Sequence, residues 1–231
     1  MILTENEKIE KSVVAGASCI AVPIEIFVPV SGEPIITAYS LCRKEAEAFC
    51  DRFEGRLLDE DALEYLENEF STIAENIGYK RERNENELML EFIFKSNRHL
   101  PKNANSVNAH RISSNAVLSE LCMASGCDIE IADDGKDVVY AVVENGRIAA
   151  YAGMNDVFYD DNSVEISVET APDSRRKGYG LACVQGLVEE LLNKGVCVRY
   201  KCSCDNLPSL ALAKKCGFEL EGQRFSFVCY K

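Results

Sequence analysis

Thr170-Ala171-Pro172-Asp173-Ser174-Arg175-Arg176-Lys177-Gly178-Tyr179-Gly180 is the stretch on which the reading of this chain turns. Upstream of it, Ser163–Thr170 alternates as a strand. Downstream, Leu181, Val184, Leu187, Val188 and Leu191 recur at helical spacing and predict a helix over Tyr179–Asn193. Three consecutive cations and two glycines therefore fall on a strand-to-helix turn. The first amides of a helix lack an intrahelical acceptor and sit at the positive end of its dipole, so such a turn is an anion seat. Gly178 and Gly180 would let the main chain close on a phosphate where a Cβ would obstruct it. Arg175, Arg176 and Lys177 add charge toward a diphosphate. The order is not that of a Walker loop, which needs Gly-Lys-Ser/Thr, nor of the Gly-x-Gly-x-x-Gly dinucleotide fingerprint. A basic, glycine-rich turn that binds nothing is the plain alternative.

Working outward, Val107–Ile112 reads as a short strand and Ser114–Ala124 as a helix. Asp137–Val143 and Arg147–Met154 read as strands joined through Glu144-Asn145-Gly146, because Asn-Gly tolerates the positive φ of a tight hairpin. Asn155–Asn162 reads as an acidic loop. Beyond the predicted helix, Gly195 suits a left-handed C-terminal stop. Val196–Cys202 reads as a strand, Pro208–Lys215 as a short helix, and Phe218–Tyr230 as a final hairpin or strand pair. Asn206-Leu207-Pro208-Ser209 precedes that short helix, and Cys216-Gly217-Phe218 follows it. Asn206 is suited to cap the helix whatever else it does.

Arg175-x-x-Gly178-x-Gly180 resembles the pyrophosphate loop of the GNAT (GCN5-related N-acetyltransferase) superfamily, and the Asn206 segment resembles that superfamily's second cofactor motif. The order of elements matches as well, over about residues 107–231. The resemblance implies a mixed α/β fold, a twisted mixed sheet flanked by helices, and acetyl-CoA as co-substrate without a metal. It implies that the strand before the loop splays from the next one and that pantetheine enters the wedge. Val168 and Thr170 would then offer main-chain groups to the pantetheine arm and the thioester carbonyl, where an N–H stabilises the developing oxyanion. Arg175, Arg176, Lys177, Gly178, Tyr179 and Gly180 would hold the diphosphate. Asn206 and Ser209 would contribute from the second motif, and Tyr200–Cys204 would form the opposite lip. A homodimer is compatible with the resemblance.

Attack by an amine requires removal of a proton from its ammonium form and a proton for the departing thiolate. Glu165 and Glu169, two residues of one strand with the same parity, are the candidate bases; both are equally readable as surface carboxylates. The superfamily's usual acid is a tyrosine in the helix after the Asn motif. That position is Ala213 here, so Ser209, Tyr200 or Cys202 would donate, or no acid is needed. The function expected is acetyl transfer from acetyl-CoA to a small-molecule or peptide amine. The alternative is an acyl-CoA-binding regulatory module with little or no transferase activity, and a larger acyl donor also remains open.

The first hundred residues are less informative. Ser96–Ser106 is polar and Asn-rich, and places a domain boundary between 1–104 and 105–231. Before it, Ser12–Val30 is apolar, but Pro23 and Pro29 argue against a central strand. Ile35–Tyr39 and Leu88–Phe94 read as strands, and Arg43–Phe53 and Asp59–Asn76 as helices, giving an N-terminal α/β domain. Ile73-Ala74-Glu75-Asn76-Ile77-Gly78-Tyr79 echoes Leu212-Ala213-Lys214-Lys215-Cys216-Gly217-Phe218. The echo reads either as a degenerate GNAT-like half or as a common helix–Gly–aromatic junction.

Charge narrows the partners. The net charge is -13, with -9 on residues 1–100 and -4 on the rest. An acidic chain repels phosphate backbones, which argues against nucleic acid, and suits a cationic acceptor. No run approaches the ~20 apolar residues of a membrane span, and the first residues lack a secretory layout, so a cytoplasmic location is expected. The 11 cysteines are odd in number and have no framework spacing, so free thiols are expected. Cys19, Cys183, Cys197 and Cys229 lie in apolar runs as small core residues. Cys122, Cys127, Cys202 and Cys204, with only His99 and His110, do not make a metal set.

Overall fold

The strand over Ser163–Thr170 and the helix over Tyr179–Asn193 form at those bounds in the computed structural model. It describes residues 1–6, 10–11, 20–81, 88–95, 100–101, 107–112, 117, 120, 138–158 and 161–230. In chain order the elements are β1 (Ile2–Asn6), β2 (Glu10–Lys11), β3 (Ile20–Ala21), β4 (Ile24–Pro29), β5 (Ile35–Tyr39), α1 (Arg43–Arg52), α2 (Glu60–Asn76), β6 (Lys80–Arg81), β7 (Leu88–Phe94) and β8 (His110–Ile112). Then follow β9 (Val139–Glu144), β10 (Arg147–Phe158), β11 (Ser163–Thr170), α3 (Tyr179–Asn193), β12 (Cys197–Ser203), α4 (Leu207–Cys216), β13 (Glu219–Ser226) and β14 (Cys229–Tyr230). Most of the helix expected over Ser114–Ala124, Cys19, Cys122, Cys127, His99 and most of the 96–106 segment lie outside the described residues.

By contacts the chain divides into two compact units that interleave along the sequence, so this division is a different cut from the sequential 104/105 boundary. The first comprises residues 1–91, 202–205 and 220–231; the second comprises 92–201 and 206–219.

In the first unit β1 runs parallel to β5, β5 pairs antiparallel with β4, and β4 with β13. β4 is thus flanked on both sides, contrary to the expectation from its prolines. Pro23 precedes the strand and Pro29 is its last residue, so neither removes a donor from the middle of the ladder. The inner residues of these strands, Ile24, Ile26, Ile36 and Phe225, and Phe227 just beyond β13, share one core with Phe49 of α1 and Leu66 and Phe70 of α2. A second small sheet runs β2-β3-β14-β6. The expected final strand pair therefore does not form: β13 and β14 belong to different sheets. Glu91 is buried here at 2% exposure. Arg224 grips it through Nε at 2.6 Å and Nη2 at 3.2 Å, and reaches Glu25 through Nη1 at 2.7 Å, so the buried carboxylate is paired, as burial demands.

The second unit is a mixed sheet in the order β12-β11-β10-β9-β8. β11 is parallel to β12, and the other neighbours are antiparallel. The apolar stripe of α3 packs across β9, β10 and β11, and Leu187, Val188 and Cys183 are fully buried beneath it. β10 continues to Phe158, beyond the expected end at Met154, because a register shift between Met154 and Phe158 absorbs residues expected to loop out.

The glycines after α2, α3 and α4 have φ of 87°, 74° and 88°. Each is followed by an amide that bonds five residues back: Tyr79 to Ala74 O, Val196 to Leu191 O, Phe218 to Ala213 O. The echo between residues 73–79 and 212–218 is accounted for by this shared stop, which α3 has without any echo. Among the described residues no helix is long and apolar enough to cross a membrane.

Candidate functional site

The strand into the loop has two kinds of neighbour. The Cys197 N–H donates to Asn162 O at 3.3 Å, whereas the Ala171 N–H donates to Ala149 O at 3.0 Å. Main-chain groups of successive strand residues point to alternate sides. Even-numbered residues of β11 therefore address β12 and odd-numbered residues address β10. The β11–β12 ladder starts at Ser163↔Cys197 and ends at Ile166↔Tyr200, yet β11 runs on to Thr170. Among the described residues no strand pairs with the outward groups of Val168 and Thr170. Thr170 O accepts a long contact of 3.4 Å from Arg175 Nε. Tyr200 marks the apex of this opening, and its ring packs 5.7 Å from that of Phe218.

Beyond Thr170 the chain makes one 3-10 turn over Pro172–Ser174. It then passes through Arg176 at φ 64° and Gly178 at φ 85°. Gly178 is the N-cap of α3 in the left-handed region, a conformation that favours glycine. The first helical bond runs from Ala182 N to Gly178 O at 3.1 Å. The cap has no side-chain bond, and the first turn has no acidic residue. The amides of Tyr179, Gly180 and Leu181 are therefore left without an intrahelical acceptor. Gly180 has a nearer reason to lack a side chain than the approach of a phosphate. A Cβ there would stand 2.9 Å from Thr170 Oγ1 and 3.6 Å from Val168 Cγ2, so it is what lets α3 pack onto β11.

Three cations border these amides. Arg176 is exposed and makes no ion pair among the described residues. Lys177 Nζ lies 3.2 Å from Glu144 Oε2 and 5.4 Å from the centre of the Tyr179 ring, while the Tyr179 hydroxyl donates to the other oxygen of Glu144. Foremost the Tyr179 hydrogen bond, and with it Lys177, holds the Glu144 carboxyl below the usual carboxylate range. The same contacts push the Tyr179 phenol and the Lys177 ammonium upward.

The second motif lies beside the first. Asn206 caps α4, its Oδ1 accepting from Ser209 N at 3.1 Å. α4 packs against α3, and Leu212 Cδ2 lies 3.9 Å from the Cβ position at Gly180. Ala213 is buried at 1% exposure, so this position supplies a methyl group to packing and no acid.

Val168 and Thr170 turn their side chains under Gly180. Alternation then puts Glu165, Ser167 and Glu169 on the opposite face of β11. The two carboxylates differ there. Glu165 accepts from Asn155 Nδ2 at 3.1 Å and pairs with Lys201 Nζ at 3.1 Å, with 15% of its side chain exposed. Glu169 is exposed and accepts from the Tyr151 hydroxyl at 3.0 Å, across the register pair Tyr151↔Glu169. Glu144, Tyr151, Asn155 and Lys201 are the neighbours that sequence reasoning missed. Glu144, in the Asn-Gly turn, carried the only local signal.

The thiols of α3, β12 and α4 that burial perturbs are all shifted away from the thiolate form. Burial pushes Cys183 and Cys216 up to about 12 and also raises Cys202 and Cys204. Among the described residues no group of three or more His, Cys, Asp or Glu could hold a metal ion.

Residues 138–225 match the family model described as GNAT acetyltransferase. Among solved structures, a protein from Novosphingobium aromaticivorans DSM 12444, assigned to the GNAT acetyltransferase family, is 19% identical. That alignment covers 67% of this chain and 68% of that one at a TM-score of 0.51. A GCN5-related N-acetyltransferase from Kribbella flavida is 13% identical over 69% of this chain and 62% of its own, with a TM-score of 0.48. A GCN5-related N-acetyltransferase-like protein from Streptococcus suis 89/1591 is 14% identical over 91% and 89%, with a TM-score of 0.45. At these identities the likeness is one of fold, and it rests on the first of the three. No curated protein matches the sequence.

Proposed function

From the premise that residues 138–225 form a GNAT acetyltransferase domain, we propose that this chain moves an acetyl group from acetyl-CoA to a small-molecule or peptide amine by direct attack. The observation that carries the reading is the early end of the β11–β12 ladder, directly before a turn of uncapped amides. The diphosphate would sit at the amides of Gly178, Tyr179 and Gly180, with Arg175, Arg176 and Lys177 about it. The pantetheine arm would take the main-chain groups of Val168 and Thr170 that lie beyond the end of the β11–β12 ladder, and an amide there would meet the oxyanion as it forms. Asn206 and Ser209 would border the same cofactor from α4.

Glu169 is the better base of the two candidates. It is exposed and fixed by a single phenol, whereas Glu165 is engaged by Lys201 and Asn155. In the proposed step Glu169 takes a proton from the acceptor ammonium, and the amine nitrogen bonds to the thioester carbon. The C–S bond then breaks, and the new amide sheds its second proton. A thiol ionises near pH ~8.5, so coenzyme A departs readily as thiolate and gains a proton from water; a tyrosine at residue 213 is not required. The balance is amide, thiol and one proton released to solvent. The free thiols among the described cysteines fit a reducing, cytoplasmic setting.

A thiol-release assay over a panel of primary amines, run beside calorimetric titration with acetyl-CoA, tests the reading. Saturable, amine-dependent thiol release is expected. Binding without turnover on any acceptor would favour the acyl-CoA-sensing alternative, which the buried Ala213 and the acidic first hundred residues support. Absence of binding would remove both.

A further inference from the structure

The Asn145-Gly146 hairpin turn, with φ of 53° and 74°, ends β9 at Glu144. That carboxylate faces the loop before α3. One oxygen takes the Tyr179 hydroxyl and the other meets Lys177 Nζ at 3.2 Å. These two residues flank Gly178, the N-cap whose following amides have no intrahelical acceptor. Glu144 thus already answers one of the three cations bordering the proposed diphosphate seat. All of these groups belong to the second compact unit.

We infer that Glu144 is an internal competitor for the diphosphate, an anionic latch that lowers the affinity of the loop for coenzyme A and its thioesters. The inference rests on the acetyl-CoA reading and adds a residue to it. An incoming diphosphate either takes Lys177 from Glu144 or binds with a like charge close by, and each course costs affinity that a neutral residue would not cost. The donor and the product thiol carry the same diphosphate, so the latch weakens both equally and keeps spent coenzyme A from being retained.

The test compares wild type with Glu144→Gln by calorimetric titration with acetyl-CoA and, separately, with coenzyme A. Glutamine keeps an oxygen to accept from Tyr179, so the turn stays ordered while the charge goes; thermal melts check that the fold is unchanged. The expected result is a Kd lower by roughly three- to tenfold at low salt, by the same factor for both ligands. That factor should shrink toward one at about 1 M salt, where the Debye length falls to roughly 3 Å. Equal or weaker binding by Glu144→Gln shows a loop-ordering role and overturns the latch. A factor that differs between the two ligands places the effect away from the diphosphate and overturns it as well. If wild type binds acetyl-CoA and only the variant comparison fails, the latch falls and the cofactor reading stands. If neither protein binds, both fall.

Discussion

At the scale of single residues, the two carboxylates of β11 show what a sequence can and cannot say. Their spacing gives them one face, but the groups that separate their roles, Lys201, Asn155 and Tyr151, lie on other strands and leave no mark near residues 165 and 169. Glu169→Gln is expected to lower kcat by roughly 10²-fold or more with the KM for acetyl-CoA unmoved. Glu165→Gln, which takes the carboxylate charge from beside a largely enclosed Lys201, should instead appear as about 1–2 kcal/mol of lost stability in denaturant titrations. A reversed pattern would exchange their assignments. Gly178→Glu forces a side chain onto φ 85° and sets a negative charge at the amides after it. A stability loss of about 1 kcal/mol, or roughly 2–4 °C in Tm, should accompany the disappearance of acetyl-CoA binding in calorimetry. Binding that survives the substitution would take the diphosphate away from this turn.

Several elements were legible: β5, β11 and α3 have the bounds their patterns predict, and β7 has the bounds of an apolar run that period alone does not separate from a helix. The misses have physical causes. A proline at each end of β4 imitates a strand breaker, and the register shift in β10 conceals strand inside an acidic segment. Another feature invisible in sequence is how closely α3 approaches β9. A Cβ at Gly186 would stand 2.5 Å from Cδ1 and 2.7 Å from Cε1 of Tyr140. The ring is also held by the hydrogen bond from its hydroxyl to Glu190 at 3.1 Å, so it has little freedom to yield. In an open helix Gly→Ala stabilises by about 0.5–1 kcal/mol. At residue 186 overpacking should reverse the sign and cost roughly 1–3 kcal/mol. Urea unfolding of Gly186→Ala gives the answer, and a variant more stable than wild type would mean that α3 is free to lift from the sheet.

For the molecule as a whole, the interleaving of the two units is the property least visible from the chain. A polar, Asn-rich segment is a local signal, whereas the return of residues 220–231 to the unit that begins at Met1 is made by contacts separated by most of the sequence. Phe225, Phe227 and Cys229 are all within the core built by α1 and α2, with the Phe227 ring 6.0 Å from that of Phe70 and Arg81 stacked 4.0 Å over it. Deleting the segment removes β13 from beside β4 and takes two aromatic side chains out of one core. Each such loss typically costs about 3–5 kcal/mol, against a total stability of about 5–15 kcal/mol for a domain. A chain ending at Glu219 should therefore lose the first unit while retaining every residue of the second. Hydrogen exchange read by mass spectrometry is the suitable measurement, because it reports each unit separately. Peptides spanning residues 43–76 should exchange near the unfolded rate, and those spanning 138–201 should stay protected. Undiminished protection across α1 and α2 would mean that the first unit closes its core without the end of the chain.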